Sequence, residues 1–218
     1  SMVGGRISLL VAITAMALSV FLGTTIGVLA GFFKRLDGVL MRLTDLFLAL
    51  PVLPLLLVII MLFRDSLRAT FGPEQGIFML IVFIIGITSW MQTARVVRGE
   101  VLTIKQQEFV AAAHSIGTRR RNVIFRHILP NCLSPVMVAA ALGMAVAIIT
   151  ESALSFLGLG FPSDFPTWGR LLYDGKDFIN LTPMRVVGPG VLISLTVISV
   201  NFIGDGLRDA LDPKLRSR

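Results

Sequence analysis

The sequence predicts an all-α integral membrane protein with five transmembrane helices, and three observations carry that prediction. Of its 218 residues, 55% are hydrophobic and only 15% are charged. Mean hydropathy is +0.83, a balance that soluble domains of this size seldom carry. The apolar residues fall into long runs, each reaching or exceeding the ~20 residues a helix needs to cross ~30 Å of hydrocarbon. Strand-like alternation of period two is absent from them, which argues against a β-barrel.

The first run, 7–33, carries Gly23, Gly27 and Gly31 at every fourth position. Such a stripe lets another helix approach closely, first as packing within the subunit and second as a subunit interface. The second run, 43–63, contains Pro51 and Pro54, so a kink or local unwinding is expected there. Asp45, near its inner end, is placed to pair with Arg42. A short outer loop over 64–76 follows, with Gly72-Pro73 as its turn. The third run is 77–97. The fourth, 133–159, carries Glu151 toward its outer half, and a second outer loop covers 160–185. There Phe161-Pro162, Phe165-Pro166 and Trp168-Gly169 set aromatics beside turn residues, as an aromatic belt or a contact for an external partner would. The fifth run, 186–207, enters through Gly188-Pro189-Gly190, a flexible start, and contains Asn201.

Charge distribution orients these spans. Fourteen of the 20 basic residues fall on one side: Lys34, Arg35, Arg42, Arg95, Arg98, Lys105, Arg119, Arg120, Arg121, Arg126, Arg208, Lys214, Arg216 and Arg218. Arg6, Arg64, Arg68, Arg170, Lys176 and Arg185 fall on the other. The excess alternates correctly with five crossings, so the positive-inside rule places the 98–131 loop and the C-terminus in the cytoplasm. The net charge of +7 is thereby assigned to topology rather than to nucleic acid. Residue 1 then lies outside and no cleavable signal is visible, so a sixth, preceding helix is expected. Cys132 is the lone cysteine and offers no disulfide and no metal framework.

Between the third and fourth runs lies a polar island from Lys105 to Asn131. Ala111, Ala112 and Ala113 are strong helix formers without bulk, so a partner surface can come close to the backbone. Gly117 can take a positive φ and turn the chain. Thr118 can cap a second helix, to which Ile124, Phe125, Ile128 and Leu129 lend an apolar face. Pro130 then stops or kinks that helix. The bland alternative is an amphipathic loop on lipid headgroups. Arg119, Arg120 and Arg121 serve topology and anionic lipid, or pair with an acidic partner.

The alanine run, Gly117 and the Leu129-Pro130 step resemble the EAA loop of ATP-binding-cassette (ABC) importer permeases, with Ala111 where that motif often has Glu. The segments 151–160, Thr167-Trp168-Gly169 and 204–213 look like the C-type permease of oligopeptide, dipeptide and nickel importers, a resemblance that covers the whole chain. It implies a type I ABC importer permease fold as one transmembrane domain over 1–218. It also implies a docking surface for an ATPase made by Glu108, Ala111, Ala112, Ala113, His114, Gly117, Thr118, Arg119, Arg120, Leu129 and Pro130. The partners implied are a second homologous permease, two cytoplasmic ATPase subunits that use ATP and Mg, and an extracytoplasmic binding protein. Cargo would be peptides, and the location the bacterial inner membrane.

No phosphate-binding loop is present, since Gly175-Lys176 is followed by Asp177, so no cofactor is expected on this chain. Glu151, with Ser152, Ser155 and Asn201, is a candidate pathway or gate group, or alternatively a packing group against the second permease. His114 and His127 lie too far from other ligand types to suggest a metal. The rival reading is a self-sufficient secondary transporter or channel, which usually shows inverted repeats or several intramembrane charges. A membrane-embedded enzyme would need a nucleophile–base pair or metal cluster that the spans do not show.

Overall fold

Close approach of two long helices organises the molecule. In a computed structural model describing residues 2–162 and 165–211, apart from the side chains of Met2, Val3 and His114, α1 (Met2–Phe32) lies along α4 (Pro73–Ile104). The glycine stripe makes that contact. A Cβ on Gly23 would meet Trp90 O at 2.7 Å, one on Gly27 would meet Ala94 O at 2.6 Å, and one on Gly31 would meet Val101 Cβ at 2.7 Å. The stripe therefore serves packing inside the subunit, where small residues let backbones approach without a water-driven hydrophobic force.

Each half of this pair holds its own apolar cluster. At one end Val11, Ala12 and Ala15 of α1 meet Ile77, Ile81 and Ile85 of α4, together with Ile148, Phe161 and Trp168. At the other end Val28 and Phe32 meet Val97, Val101 and Ile104. The long helix α7 (Leu129–Phe156) packs on both α1 and α4, and α9 (Met184–Leu211) lies outermost, against α7 and the short α8 (Trp168–Gly175).

The second span differs from its expected form. In place of a kinked 43–63 helix there are two helices, α2 (Lys34–Ala49) and α3 (Val52–Phe71), broken at Leu50-Pro51 and bent by 86°. Pro51 removes a backbone donor and biases Leu50 to an extended conformation, found at φ −76° and ψ 135°. Ion pairs then hold α2 against α4. Asp37 accepts from both Nε and a terminal nitrogen of Arg98, the latter at 2.7 Å. Asp45 pairs with Arg95 rather than with Arg42. The two-point Arg98 fork is the stronger contact, because its side chains are 33% and 25% exposed against 53% and 59% for Arg95–Asp45.

Two other expectations change. The 64–76 stretch is helical except at Gly72, where φ of +85° lets one residue reverse the chain and Pro73 starts α4. The 188–190 entry is not loose: Pro189 sits inside α9, which runs unbroken through both neighbouring glycines. Among the described residues four helices are long and apolar enough to cross a membrane, or there are five spans if the bent pair counts as one.

Gly27→Ile forces a branched side chain into the α1–α4 seam and is expected to cost about 1–3 kcal/mol. A lower melting temperature of the detergent-solubilised chain would show this, with Gly38→Ala, whose Cβ meets nothing within 4 Å, unchanged or slightly raised.

Candidate functional site

The polar island folds as a hairpin of two helices. The first, α5 (Glu108–Ser115), sets the acidic Glu108 in its first turn, where the helix dipole favours it. Its end is a Schellman closure: Thr118 N–H donates to Ala113 O at 3.1 Å, across Gly117 at φ +74°. Thr118 thus does not cap the next helix. Its backbone is spent on the closure, and Arg119 takes the cap position of α6 (Arg120–Val123) without a side-chain bond.

The hairpin has distinct inner and outer faces. Val110, Ala113, Val123 and Ile128 are buried in the cluster that joins Phe32, Val97 and Val101. Ala111 and Ala112 face outward with Glu108, Gly117, Arg119 and Arg120. At the tip stands Ile116, 82% exposed, beside the exposed Arg119, Arg120 and Arg121. Phe109 and Phe125 are also exposed, and Arg121 lies over the Phe125 ring at 5.8 Å. Sequence reading passed over Ile116, because one apolar residue between polar ones carries no periodic signal. The side chain of His114 lies outside the described residues, as does 212–218, with Lys214, Arg216 and Arg218.

Leu129-Pro130 does not end the second helix. The backbone widens into a π-helical turn over Ile124–Ile128, with Leu129 N–H donating to Ile124 O five residues back, and then continues into α7. Pro130 has no N–H, and the wider turn before it, together with Asn131 Nδ2 donating to His127 O at 2.6 Å, accommodates that loss. Residues 120–156 consequently form one helical element. Leu129 is half-buried at this joint and Pro130 is exposed.

Beside the joint opens a cleft of about 1160 Å³ between α4, α7 and the α2–α3 elbow. Thr88, Ser89 and Gln92 of α4 and Ser134 and Thr150 of α7 give it polar walls within otherwise apolar spans. Gln107, Phe109, Pro130 and Asn131 line its lower end, so the hairpin and the cleft share residues. These α4 polar groups, spaced one and then three apart inside a hydrophobic run, were the available signal for a polar-walled cleft.

The expected gate group lies elsewhere. Glu151 is fully buried and accepts hydrogen bonds from Ser8 Oγ at 2.9 Å and Ser155 Oγ at 2.8 Å. Ser155 also lies 3.4 Å from Thr167 Oγ1, and Thr167 caps α8 by accepting from Arg170 N–H. Glu151, Ser152 and Ser155 therefore join α1, α7 and α8 within the subunit and do not line the cleft, and neither does Asn201 on α9. A carboxyl placed in a bilayer is tolerated where hydroxyls satisfy it. Trp168 and Phe161 are correspondingly core residues, 5% and 2% exposed, and form neither an aromatic belt nor an external contact. A Cβ on Gly169 would meet Ser152 Cα at 2.6 Å, which is why the Thr167-Trp168-Gly169 step can seat. No group of His, Cys, Asp and Glu suited to a metal occurs among the described residues.

The family model of binding-protein-dependent transport system inner membrane components matches residues 23–217. The chain belongs to that family. It is 39% identical over 215 residues to the dipeptide transport system permease protein DppC of Alkalihalophilus pseudofirmus, covering 98% of this chain and 67% of that one. To the oligopeptide transport system permease protein OppC of Bacillus subtilis it is 37% identical, with the same coverage. Among solved structures, the MetNI methionine ABC transporter in inward-facing conformations aligns with TM-score 0.76 at 16% identity, over 96% of this chain and 94% of that one. The fold is that of a type I ABC importer permease, and the protein is a multi-pass inner-membrane permease subunit of a binding-protein-dependent importer. Transport rather than catalysis is the work of this family, and an ATPase and a substrate-binding protein are its partners.

Replacing Glu151 with Leu leaves the Ser8 and Ser155 hydroxyls without their acceptor, at about 1–3 kcal/mol. Thermal unfolding of the solubilised protein is expected to fall several degrees for Glu151→Leu and much less for Glu151→Gln, which keeps an acceptor oxygen.

Proposed function

We propose that this chain, as a single transmembrane domain, pairs with a second homologous permease to form the pathway of an ATP-driven peptide importer. Two ATPase subunits dock from the cytoplasm and supply the ATP and Mg chemistry. An external binding protein delivers cargo, and this chain holds no cofactor and catalyses no reaction. Peptide cargo is supported by the curated relatives, which are dipeptide and oligopeptide permeases. A cleft walled by hydroxyls and amides also suits a ligand rich in backbone amides.

The observation that carries this reading is the Ile116 tip. An apolar side chain that exposed, at the polar end of a hairpin whose other face is locked into the core, is a poor partner for water or headgroups and a good plug for a protein cleft. Ala111 and Ala112 leave room for the partner beside it, Gly117 shapes the tip, and Arg119 and Arg120 meet its acidic rim. From Arg120 the second arm of the hairpin runs through Leu129 and Pro130 into α7 and the cleft wall, so displacement of that arm moves the wall. The hairpin and the C-terminus are assigned to the cytoplasm on the basic excess.

Ile116→Asp and Ala112→Arg should each reduce co-purified ATPase at least tenfold, since a hot-spot loss removes about 2 kcal/mol or more. Unchanged ATPase binding by the folded variants, or transport by the chain without any ATPase, would return the case to a self-sufficient transporter. A cysteine at position 116 should react with an impermeant thiol reagent in inverted vesicles and not in intact cells.

A further inference from the structure

The break between α2 and α3 falls halfway along a membrane span. Asp37, Asp45 and Phe47 of α2 meet Arg98, Arg95 and Trp90 of α4 in turn, so α2 runs along α4 from its Ile104 end. Beyond the break, Leu56 and Ile60 of α3 pack on Leu80 and Ile84, in the half of α4 nearer Pro73. Trp90, which meets the end of α2, stands near the middle of α4. The bent pair is thus one crossing, opened at mid-depth.

Opening the helix there leaves main-chain groups without partners. Pro51 and Pro54 have no N–H to give to the carbonyls four residues back, and Leu50 N–H turns to Phe47 O at 3.3 Å. Among the described residues no hydrogen bond reaches the carbonyls of Leu48, Ala49 or Leu50, and none is made by the N–H groups of Val52 or Leu53. Residues 49–54 are exposed, and Leu48 and Val52, on either side of the break, line the cleft. Lipid tails cannot satisfy such groups, and non-helical backbone at this depth persists only inside protein or along a watered cavity. Ser89 and Gln92, next to Trp90 in α4, line the same cleft. Thr88 spends its hydroxyl on Ile84 O at 2.8 Å, whereas the side chains of Ser89 and Gln92 make no hydrogen bond among the described residues.

We propose that this break is a site that reads the main chain of the cargo peptide. The carbonyls of Leu48, Ala49 and Leu50 accept from peptide N–H groups, the N–H groups of Val52 and Leu53 donate to peptide carbonyls, and Ser89 and Gln92 bind from the α4 wall. This rests on the importer reading above and adds where on the chain the cargo lies. Donor and acceptor type select the occupant. A metal cation would use the carbonyls alone and leave the two N–H groups unmet, whereas a peptide main chain carries a donor and an acceptor at nearly every residue. Those groups are the same whatever the side chains, so a site of this kind takes many sequences.

The test uses the assembled importer in proteoliposomes, with its binding protein and ATP. The cargo is penta-alanine, or the same peptide N-methylated at its central residue, with the binding protein loaded equally. The parent should enter about fivefold faster than the methylated peptide, which has lost one donor. Pro51→Ala with Pro54→Ala lets the helix close across the break, so that the three carbonyls take donors from within the chain. That double variant should bring the ratio of the two rates near one, where a merely structural defect would slow both peptides alike. In a second measurement, on the wild type, penta-alanine with a diazirine-bearing central residue should crosslink on illumination within residues 48–53. Equal entry of the two peptides into wild-type vesicles would overturn the proposal, as would an undiminished ratio in the double variant. Crosslinks confined to the second permease, or to other parts of this chain, would overturn it too. Failure of the importer reading looks different: penta-alanine itself would then not enter, or would enter without ATP.

Discussion

Everything else in this permease depends on how closely α1 and α4 approach. In lipid, helices gain little from expelling water, so association rests on the contact their backbones can reach. Gly23, Gly27 and Gly31 bring α1 onto Trp90, Ala94 and Val101 with no space for a Cβ. That seam places Phe32 beside Lys105, whose ammonium donates to Phe32 O at 2.8 Å. The inner cluster forms around the same ends, and the inward face of the α5–α6 hairpin seats on it. A looser seam would leave Val110, Ala113 and Ile128 without a floor.

A second constraint is mechanical. Proline in a helix removes a donor, and the usual outcome is a kink or an end. At Pro130 the chain instead widens into a π-helical turn, keeping the second arm of the hairpin and the membrane span in one helical element, residues 120–156. Helical continuity makes the two move together, because a flexible linker would absorb a motion that a stiff element passes on. Pro51 has the opposite outcome, a near right-angle bend. There Leu50 is already extended, and α4 offers two arginines to hold α2 across the break.

The buried carboxyl shows a different use of polarity. Glu151 ties α1 and α7 through serine hydroxyls, and Ser155 extends the chain of hydroxyls to the cap of α8. Directional bonds of this kind register three segments against one another in surroundings where apolar contacts alone would allow sliding. The cleft is walled along the middle of α4 by weaker polar groups, Thr88, Ser89 and Gln92, none of which carries a charge that must be paired.

Much of this was legible in the residues. Composition and run length determined the helical membrane class, because hydrocarbon thickness and the need to satisfy backbone groups leave few alternatives. Spacing placed the helical hairpin between the third and fourth runs, since Gly117 and the alanine run act locally, through backbone conformation and side-chain size. The glycine stripe announced a close contact but not its partner. What only the tertiary structure decided were the long-range pairings: Asp45 with Arg95 rather than Arg42, Glu151 turned inward to Ser8, Trp168 buried, and Ile116 left standing at the tip. Each depends on which helix lies opposite, and a residue's neighbours across a bundle are set by packing, which local sequence does not encode.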